Sequence, residues 1–236
     1  MPYRIIPTGI PGLDKAIGGG FTRPGLVYIV GHPGTGKTIM CIHYAYNRAI
    51  KYGERTKYLT LSEPKELLIQ RIKLLKFDKL DEFLNKYLSL EEAMPLAEYR
   101  VIISVIERIL EDISKGEYTN LIIDSLSSLV RGLSPQEVAN ILQMIFKEVT
   151  GKDITTIIVG EIPLFAEIKL PGVEEFMADV VIRLDYIDIH GERLAVRMTP
   201  IKMRIGAIDR KYYEVAVDER GFNVVGELPS RSFGTV

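Results

Sequence analysis

Residues 31–38 read GHPGTGKT and follow directly on the apolar run LVYIV. No other stretch of this chain narrows the choice of fold so far. The pattern G-x-x-x-x-G-K-[ST] acts only when a buried strand leads into it and a helix leaves it, because the turn must aim backbone N–H groups at an anion from the helix's positive end. Both flanks are present. LVYIV is short, branched and apolar throughout, as a parallel strand covered on both faces must be. TIMCIHYAYNRAIKYG has helical length and meets a stop at Gly53.

A nucleoside triphosphate is the ligand such a turn suits. Gly31, Gly34 and Gly36 are expected to adopt positive φ and turn successive amides inward as an anion nest. Lys37 then brings a point charge to the β- and γ-phosphates, and Thr38 offers a hydroxyl to Mg²⁺. The backbone at His32, Pro33 and Thr35 completes the cradle, while the His32 side chain, at an unspecified position, is expected to be solvated.

The remaining chain repeats the alternation of strand and helix. TKYLTL is followed by a helix from Pro64 through KELLIQRIKLLKF, then by helical patterns over residues 79–115 interrupted near Pro95. The strand LIID, the helix PQEVANILQMIFKEV and the strand ITTIIVG come next. This order predicts an α/β fold with a mainly parallel central sheet and helices on both faces. Beyond Ala178 the pattern changes. DVVIRLDYIDIHGERLAVRMTPIKMRI reads as strands joined at His190 and Gly191, and KYYEVAVDERGFNVV as a second hairpin, all antiparallel and partly exposed. Pro200 fits an edge strand or a bulge. One domain is expected over residues 1–226, with ELPSRSFGTV (227–236) as a frayed tail or an arm on a neighbour.

Composition limits the partners. With 47% hydrophobic residues in 236, one substantial core can be buried. The net charge of -1 and pI near 6.4 provide no global basic field for nucleic acid. The single cysteine, Cys41, cannot form an internal disulfide and reads as a small buried hydrophobe in a reducing compartment. No stretch reaches membrane-spanning length, so a cytoplasmic protein without membrane insertion is expected. His32, His43 and His190 are scattered without companion ligands, which leaves nucleotide-bound Mg²⁺ as the expected metal.

Hydrolysis needs a carboxylate near Mg²⁺ and a group that orients water. Asp124 ends the strand LIID, where strand carboxyl ends open on the crevice of such sheets; an N-cap is the competing reading. The next residue is Ser125, so the base must come from elsewhere. Glu63 follows TKYLTL and would emerge at the same sheet edge as Lys37 and Asp124, although a first-turn glutamate favoured by the helix dipole is also consistent. Ser125, Ser127 and Ser128 read as local hydrogen-bonding groups.

TGIPGLDKAIGGG, GHPGTGKT, YLTLSEP, LIIDSLSSL, GVEEFMADVVIRL and IKMR together resemble the KaiC-like branch of RecA/RadA-type P-loop ATPases, over nearly the full length. The resemblance implies a RecA-like fold, ATP and Mg²⁺ as ligands, ATP hydrolysis, and often a homo-oligomeric ring of six with sites at subunit boundaries. It gives Lys202 and Arg204 a role at the neighbouring subunit's phosphates. Two apart on a strand, they would share a face, with Met203 on the other; charges guarding an exposed sheet edge are the plainer alternative. Two departures stand out. Many such proteins carry adjacent glutamates where this chain has Ser62 and Glu63, which implies slow hydrolysis. Their KMR is usually followed by glycine and a polar run, whereas this chain continues IGAIDRKYY, leaving base and ribose contacts open. One ATPase unit fits this length, so the duplicated architecture of the clock protein is not expected.

Three functions follow from these readings. The first is a slow Mg²⁺-dependent ATPase whose nucleotide state governs assembly or partner binding. The second is a recombination or repair paralogue that places residues 131–136 and 161–175 on DNA, although those segments hold few cations. The third is an ATP-sensing scaffold that does not hydrolyse.

Overall fold

Alternation within one strand sets the architecture. Strand β3 (Gly25–Gly31) sends Val27 and Ile29 into one core and Leu26, Tyr28 and Val30 into another, and all five are buried. A strand buried on both faces requires cover on both. The computed structural model, which describes residues 2–93, 99–129, 133–163, 177–189, 191–206 and 210–229, provides it.

Two short strands, β1 (Arg4–Ile6) and β2 (Phe21–Arg23), pair antiparallel around helix α1 (Leu13–Ala16). After β3 come α2 (Lys37–Tyr52), β4 (Thr56–Thr60), α3 (Lys65–Ile72), α4 (Leu80–Glu82) with a π-helical turn at Phe83–Tyr87, and β5 (Leu88–Glu92). Then follow α5 (Tyr99–Ser114), β6 (Asn120–Asp124), α6 (Leu126–Leu129), α7 (Pro135–Thr150) and β7 (Thr155–Glu161). The chain continues through β8 (Val180–Ile189), β9 (Arg193–Met203), β10 (Tyr212–Asp218) and β11 (Gly221–Leu228).

Among the described residues the main sheet has nine strands in the order β11-β10-β9-β8-β3-β7-β6-β4-β5. The six strands from β8 to β5 pair in parallel, and β8 to β11 pair antiparallel. This is the expected α/β arrangement, with one shift: β8 is the hinge between the two modes, parallel to β3 on one side. Met40 and Tyr44 of α2 and Leu68 and Ile72 of α3 close one face. Ile106 and Leu110 of α5 with Ile141 and Ile145 of α7 close the other. A capping box at Ser134 and Glu137, with Pro135 in the first turn, starts α7.

The structure corrects two local expectations and decides a third. Within residues 79–115, read as helical, Leu88–Glu92 forms an edge strand parallel to β4. Its charged end conceals it: Glu91 is neutralised sideways by Lys57 at 2.9 Å and by Arg108 rather than by a helical neighbour. Glu227 and Leu228, assigned to the tail, pair with Tyr213 and Tyr212 and belong to the sheet; residues 230–236 lie outside the described residues, as do Pro95 and His190. Pro200 sits at a bulge, where Val181 faces Lys202 but Ile182 faces Pro200, leaving Ile201 over. Cys41 is fully buried in α2. Among the described residues no helix is long and apolar enough to cross a membrane.

The parallel strands point their carboxyl ends to one edge. Gly31, Thr60, Asp124 and Glu161 end β3, β4, β6 and β7 there, and the candidate site is built on that edge.

Candidate nucleotide-phosphate site

The turn after β3 takes the predicted shape, with one glycine serving a different purpose. Gly34 (φ 80°) and Gly36 (φ 93°) are left-handed, and a Cβ on Gly36 would fall 2.5 Å from Val217 Cγ2. Gly31, expected to need positive φ, is not among the glycines that adopt it. It is glycine because a Cβ there would lie 2.1 Å from the Leu184 carbonyl oxygen of β8, a backbone atom that cannot give way. Thr35 Oγ1 donates to the His32 carbonyl at 2.7 Å, and Tyr186 Oη donates to the Pro33 carbonyl at 3.0 Å, fixing the crest of the loop. His32 is not merely solvated either. Its Nδ1 lies 3.1 Å from the Ile162 carbonyl, and its ring lies parallel to that of Tyr186.

Lys37 opens α2, and its ammonium donates to the carbonyls of Gly31 (2.9 Å) and His32 (2.8 Å). Burial lowers its pKa, while the carboxylates of Glu161 and Asp124 act in the opposite direction. Thr38 Oγ1 donates to Asp124 Oδ2 at 2.6 Å, and Tyr58 Oη donates to the same oxygen at 2.7 Å. Asp124 is thus held by α2 and β4; its side chain does not cap the turn that follows. Burial, reinforced by Asp124, pushes the Tyr58 phenol well above its ordinary range.

Lys37, Thr38 and Asp124, with Tyr58 buried behind them, line a cavity of about 430 Å³ together with Pro33, Gly34, Gly36, Ser62, Glu63, Arg71, Glu161 and Val217. The structure therefore brings Lys37, Thr38, Asp124 and Glu63 together. Glu63 precedes α3, whose first-turn acid is Glu66, so the helix-dipole reading belongs to the other residue. Glu63 Oε1 accepts from Arg71 Nη1 at 3.2 Å; Oε2 is within ion-pair distance at 3.1 Å but is buried without a hydrogen bond. Burial raises the Glu63 pKa, Arg71 opposes that, and Asp124 adds to it.

Sequence reasoning passed over two of the lining residues. Glu161 ends β7 as Asp124 ends β6, and its N–H donates to Ser127 Oγ at 2.8 Å; the same rule of strand ends would have found it. Ser127 therefore bridges α6 to β7 and is not a purely local partner, whereas Ser125 and Ser128 do face each other at 3.1 Å. Arg71 carries no motif, because its place follows from the pitch of α3 alone.

Mg²⁺ takes hard oxygen ligands, keeps several waters and is commonly shared with substrate phosphates. The Thr38 hydroxyl and the Asp124 carboxylate, converging on the cavity at 2.6 Å from each other, fit that requirement. Among the described residues no cluster of three or more His, Cys, Asp or Glu could hold a metal by itself.

Lys202 and Arg204 stand apart from this cavity. Lys202 pairs with Val181, and the Arg204 N–H donates to the Asp179 carbonyl at 2.8 Å. Asp179 in turn accepts from Leu26 N at 2.8 Å. Leu26 is the second residue of β3 and Gly31 the last, which separates the cations from their own phosphate loop by about 17 Å along the strand. Burial lowers the Lys202 pKa, with Arg204 adding to the effect and Asp179 opposing it.

A parallel sheet with a lysine-bearing glycine loop at its carboxyl edge, opposed by a strand-terminal aspartate, defines a P-loop nucleotide-binding protein. Within that class the chain belongs to the KaiC ATPase family: the family model described as "ATPase: KaiC" matches residues 6–228. It is 26% identical over 228 residues to the circadian clock protein KaiC2 of Synechocystis, covering 93% of this chain and 39% of the relative. It is 31% identical over 178 residues to the DNA repair protein RadA of Campylobacter jejuni, covering 72% of this chain and 36% of the relative. The chain thus spans well under half the length of these two proteins. The UPF0273 protein PH0284 of Pyrococcus horikoshii is nearer in size, 28% identical over 80% of this chain and 81% of its own. The crystal structure of the KaiC-like protein PH0186 from Pyrococcus horikoshii OT3 superposes with a TM-score of 0.81 at 26% identity, covering 94% of this chain and 99% of that one.

Proposed function

We propose that this chain is a Mg²⁺-dependent ATPase of slow turnover whose nucleotide state governs assembly with further copies or binding of a partner. The observation that carries the reading is the convergence of Lys37, Thr38, Asp124 and Glu63 on one cavity at the carboxyl edge of the sheet. The N–H groups of Gly34, Gly36, Lys37 and Thr38 hold the phosphates, those of His32 and Thr35 being engaged by the Leu184 and His32 carbonyls, and Lys37 leaves its loop carbonyls to meet the β- and γ-phosphoryl oxygens. Thr38 and Asp124 would hold a Mg²⁺ ion, whose charge would offset that of the phosphate oxygens. Glu63 orients the attacking water and takes its proton as the water oxygen bonds to the γ-phosphorus and the bond to the β-phosphate oxygen breaks, giving ADP and inorganic phosphate. With Ser62 where a second carboxylate would stand, one acid carries this work alone, which accounts for slow turnover.

Lys202 and Arg204 lie too far from their own cavity to act there, so their service at phosphates requires a second copy of the chain. In a closed ring each boundary would join one copy's cavity to its neighbour's cations, six-fold symmetry being the arrangement the resemblance implies. The test is phosphate release under saturating Mg²⁺–ATP. Glu63→Gln should lower turnover by about 10² to 10⁴, the worth of a positioned base, with ATP still bound. Unchanged turnover removes Glu63 from the mechanism. The scaffold reading, favoured by Ser62, is separated by sizing the protein with ATP and with a non-hydrolysable analogue: equal assembly with both and no phosphate release supports it.

A further inference from the structure

Arg71 is the cation on this chain's own cavity that the hydrolytic reading leaves unused. It lies eight positions after Glu63, in the last turn of α3, with its side chain 57% exposed while that of Glu63 is only 12% exposed. The sheltered acid is therefore tethered by an arginine that reaches in from solvent. Three carboxylates, Glu63, Asp124 and Glu161, share the cavity, and the Lys37 ammonium facing them is engaged by the carbonyls of Gly31 and His32. Arg71 is thus what compensates Glu63 directly. The pairing is incomplete, because one carboxylate oxygen is buried without a hydrogen bond. A charge left partly unsatisfied in this way is held less firmly than a fully paired one.

A triphosphate entering the cavity would bring a second anionic claimant for the same guanidinium. Arginine's planar fork suits phosphate as well as carboxylate, and its long stem can turn from one to the other. A diphosphate ends one phosphoryl group short and makes no such claim. We propose that Arg71 is a positioning residue of this site, one that tethers Glu63 over the cavity and transfers to the terminal phosphate of a bound nucleoside triphosphate, so that the Glu63–Arg71 pair tells tri- from diphosphate. The proposal rests on reading the cavity as a phosphate site and adds to it a device contained within one chain.

Calorimetric titration with Mg²⁺–ATP and Mg²⁺–ADP, at one fixed salt concentration, tests it. Arg71→Ala should weaken ATP binding about tenfold, the lower end of what a charge-assisted hydrogen bond to phosphate is worth, and leave ADP within about twofold. Arg71→Lys keeps the charge but loses the fork, so it should restore part of the ATP preference. Glu63→Gln frees the guanidinium and should tighten ATP several-fold, a gain that must vanish in the Glu63→Gln, Arg71→Ala double variant. ATP and ADP affinities that fall together in Arg71→Ala overturn the proposal, and so does a Glu63→Gln gain that survives the loss of Arg71. Wild-type protein that binds both nucleotides yet releases no phosphate sinks the hydrolytic reading alone, and the ATP-to-ADP ratio still decides the role of Arg71.

Discussion

The two ends of the parallel sheet handle buried charge in opposite ways. At the amino ends of the strands, Glu54 receives both arms of Arg23 (2.8 Å each), Arg48 Nε (3.0 Å) and Asn120 Nδ2 (3.0 Å), while Arg23 also reaches Asn120 and Thr155. Tyr44 closes the group through Asn120. Burial works against ionisation of Glu54, but the two arginines outweigh it and bring its pKa down to about 2. At the carboxyl ends, three carboxylates share a cavity, burial raises the Glu63 pKa, and one of its oxygens lacks a hydrogen bond. The first arrangement is satisfied; the second leaves a carboxylate oxygen for which only a donor or a cation could be the partner. One fold thus keeps a fully paired buried acid at one end of the sheet and a partly paired one at the other.

Glu54→Gln should break the satisfied end. It leaves Arg23 and Arg48 buried without a countercharge, and breaking such a network costs about 3 kcal/mol, read by chemical denaturation. The matching change at the other end, Glu63→Gln, should leave stability within about 0.5 kcal/mol or raise it, since a poorly compensated charge facing Asp124 is removed. Equal destabilisation at both sites would erase the contrast.

Acid should expose the same difference. The folded-state pKa of Glu54, about 2, lies below its unfolded value near 4.3, so its contribution to stability is complete above that value and is lost as pH falls toward 2. Denaturation followed from pH 5 to pH 2 should therefore show a decline in the wild type that is flatter in Glu54→Gln. Parallel curves would mean that other carboxylates carry the acid sensitivity.

The smallest expected effect sharpens the boundary of the functional end. Tyr58→Phe removes one donor to Asp124 and leaves Thr38 in place. It should cost about 1 kcal/mol of stability, the net worth of one hydrogen bond, and weaken the dependence of ATP binding on Mg²⁺. A stability loss with no change in that dependence would confine Tyr58 to a packing role.

Much of the functional end was legible because its parts are local. LVYIV announces a strand buried twice over, GHPGTGKT gives the loop, and Asp124 stands where an apolar strand stops. Glu63 follows from the same rule of strand ends, which, applied once more to ITTIIVGE, also yields Glu161. Other features depend on neighbours remote in sequence. Gly31 looks like a turn glycine until β8 is seen to pass against it. LSLEE looks helical until Lys57 and Arg108 are found beside Glu91, and Arg71 gains meaning only when α3 turns it toward Glu63. The satisfied end was illegible for the same reason: Arg23, Arg48, Glu54 and Asn120 lie on four separate segments, and no spacing announces their meeting.

The most direct measurement is a calorimetric titration of Mg²⁺–ATP into the wild-type chain and into Lys37→Ala. A nucleotide-phosphate cavity predicts saturable heat with the wild type and a loss of affinity of at least about a hundredfold in the variant, because the change removes the buried ammonium that this account assigns to the phosphates. No heat with the wild type, or equal affinity in both proteins, would contradict it.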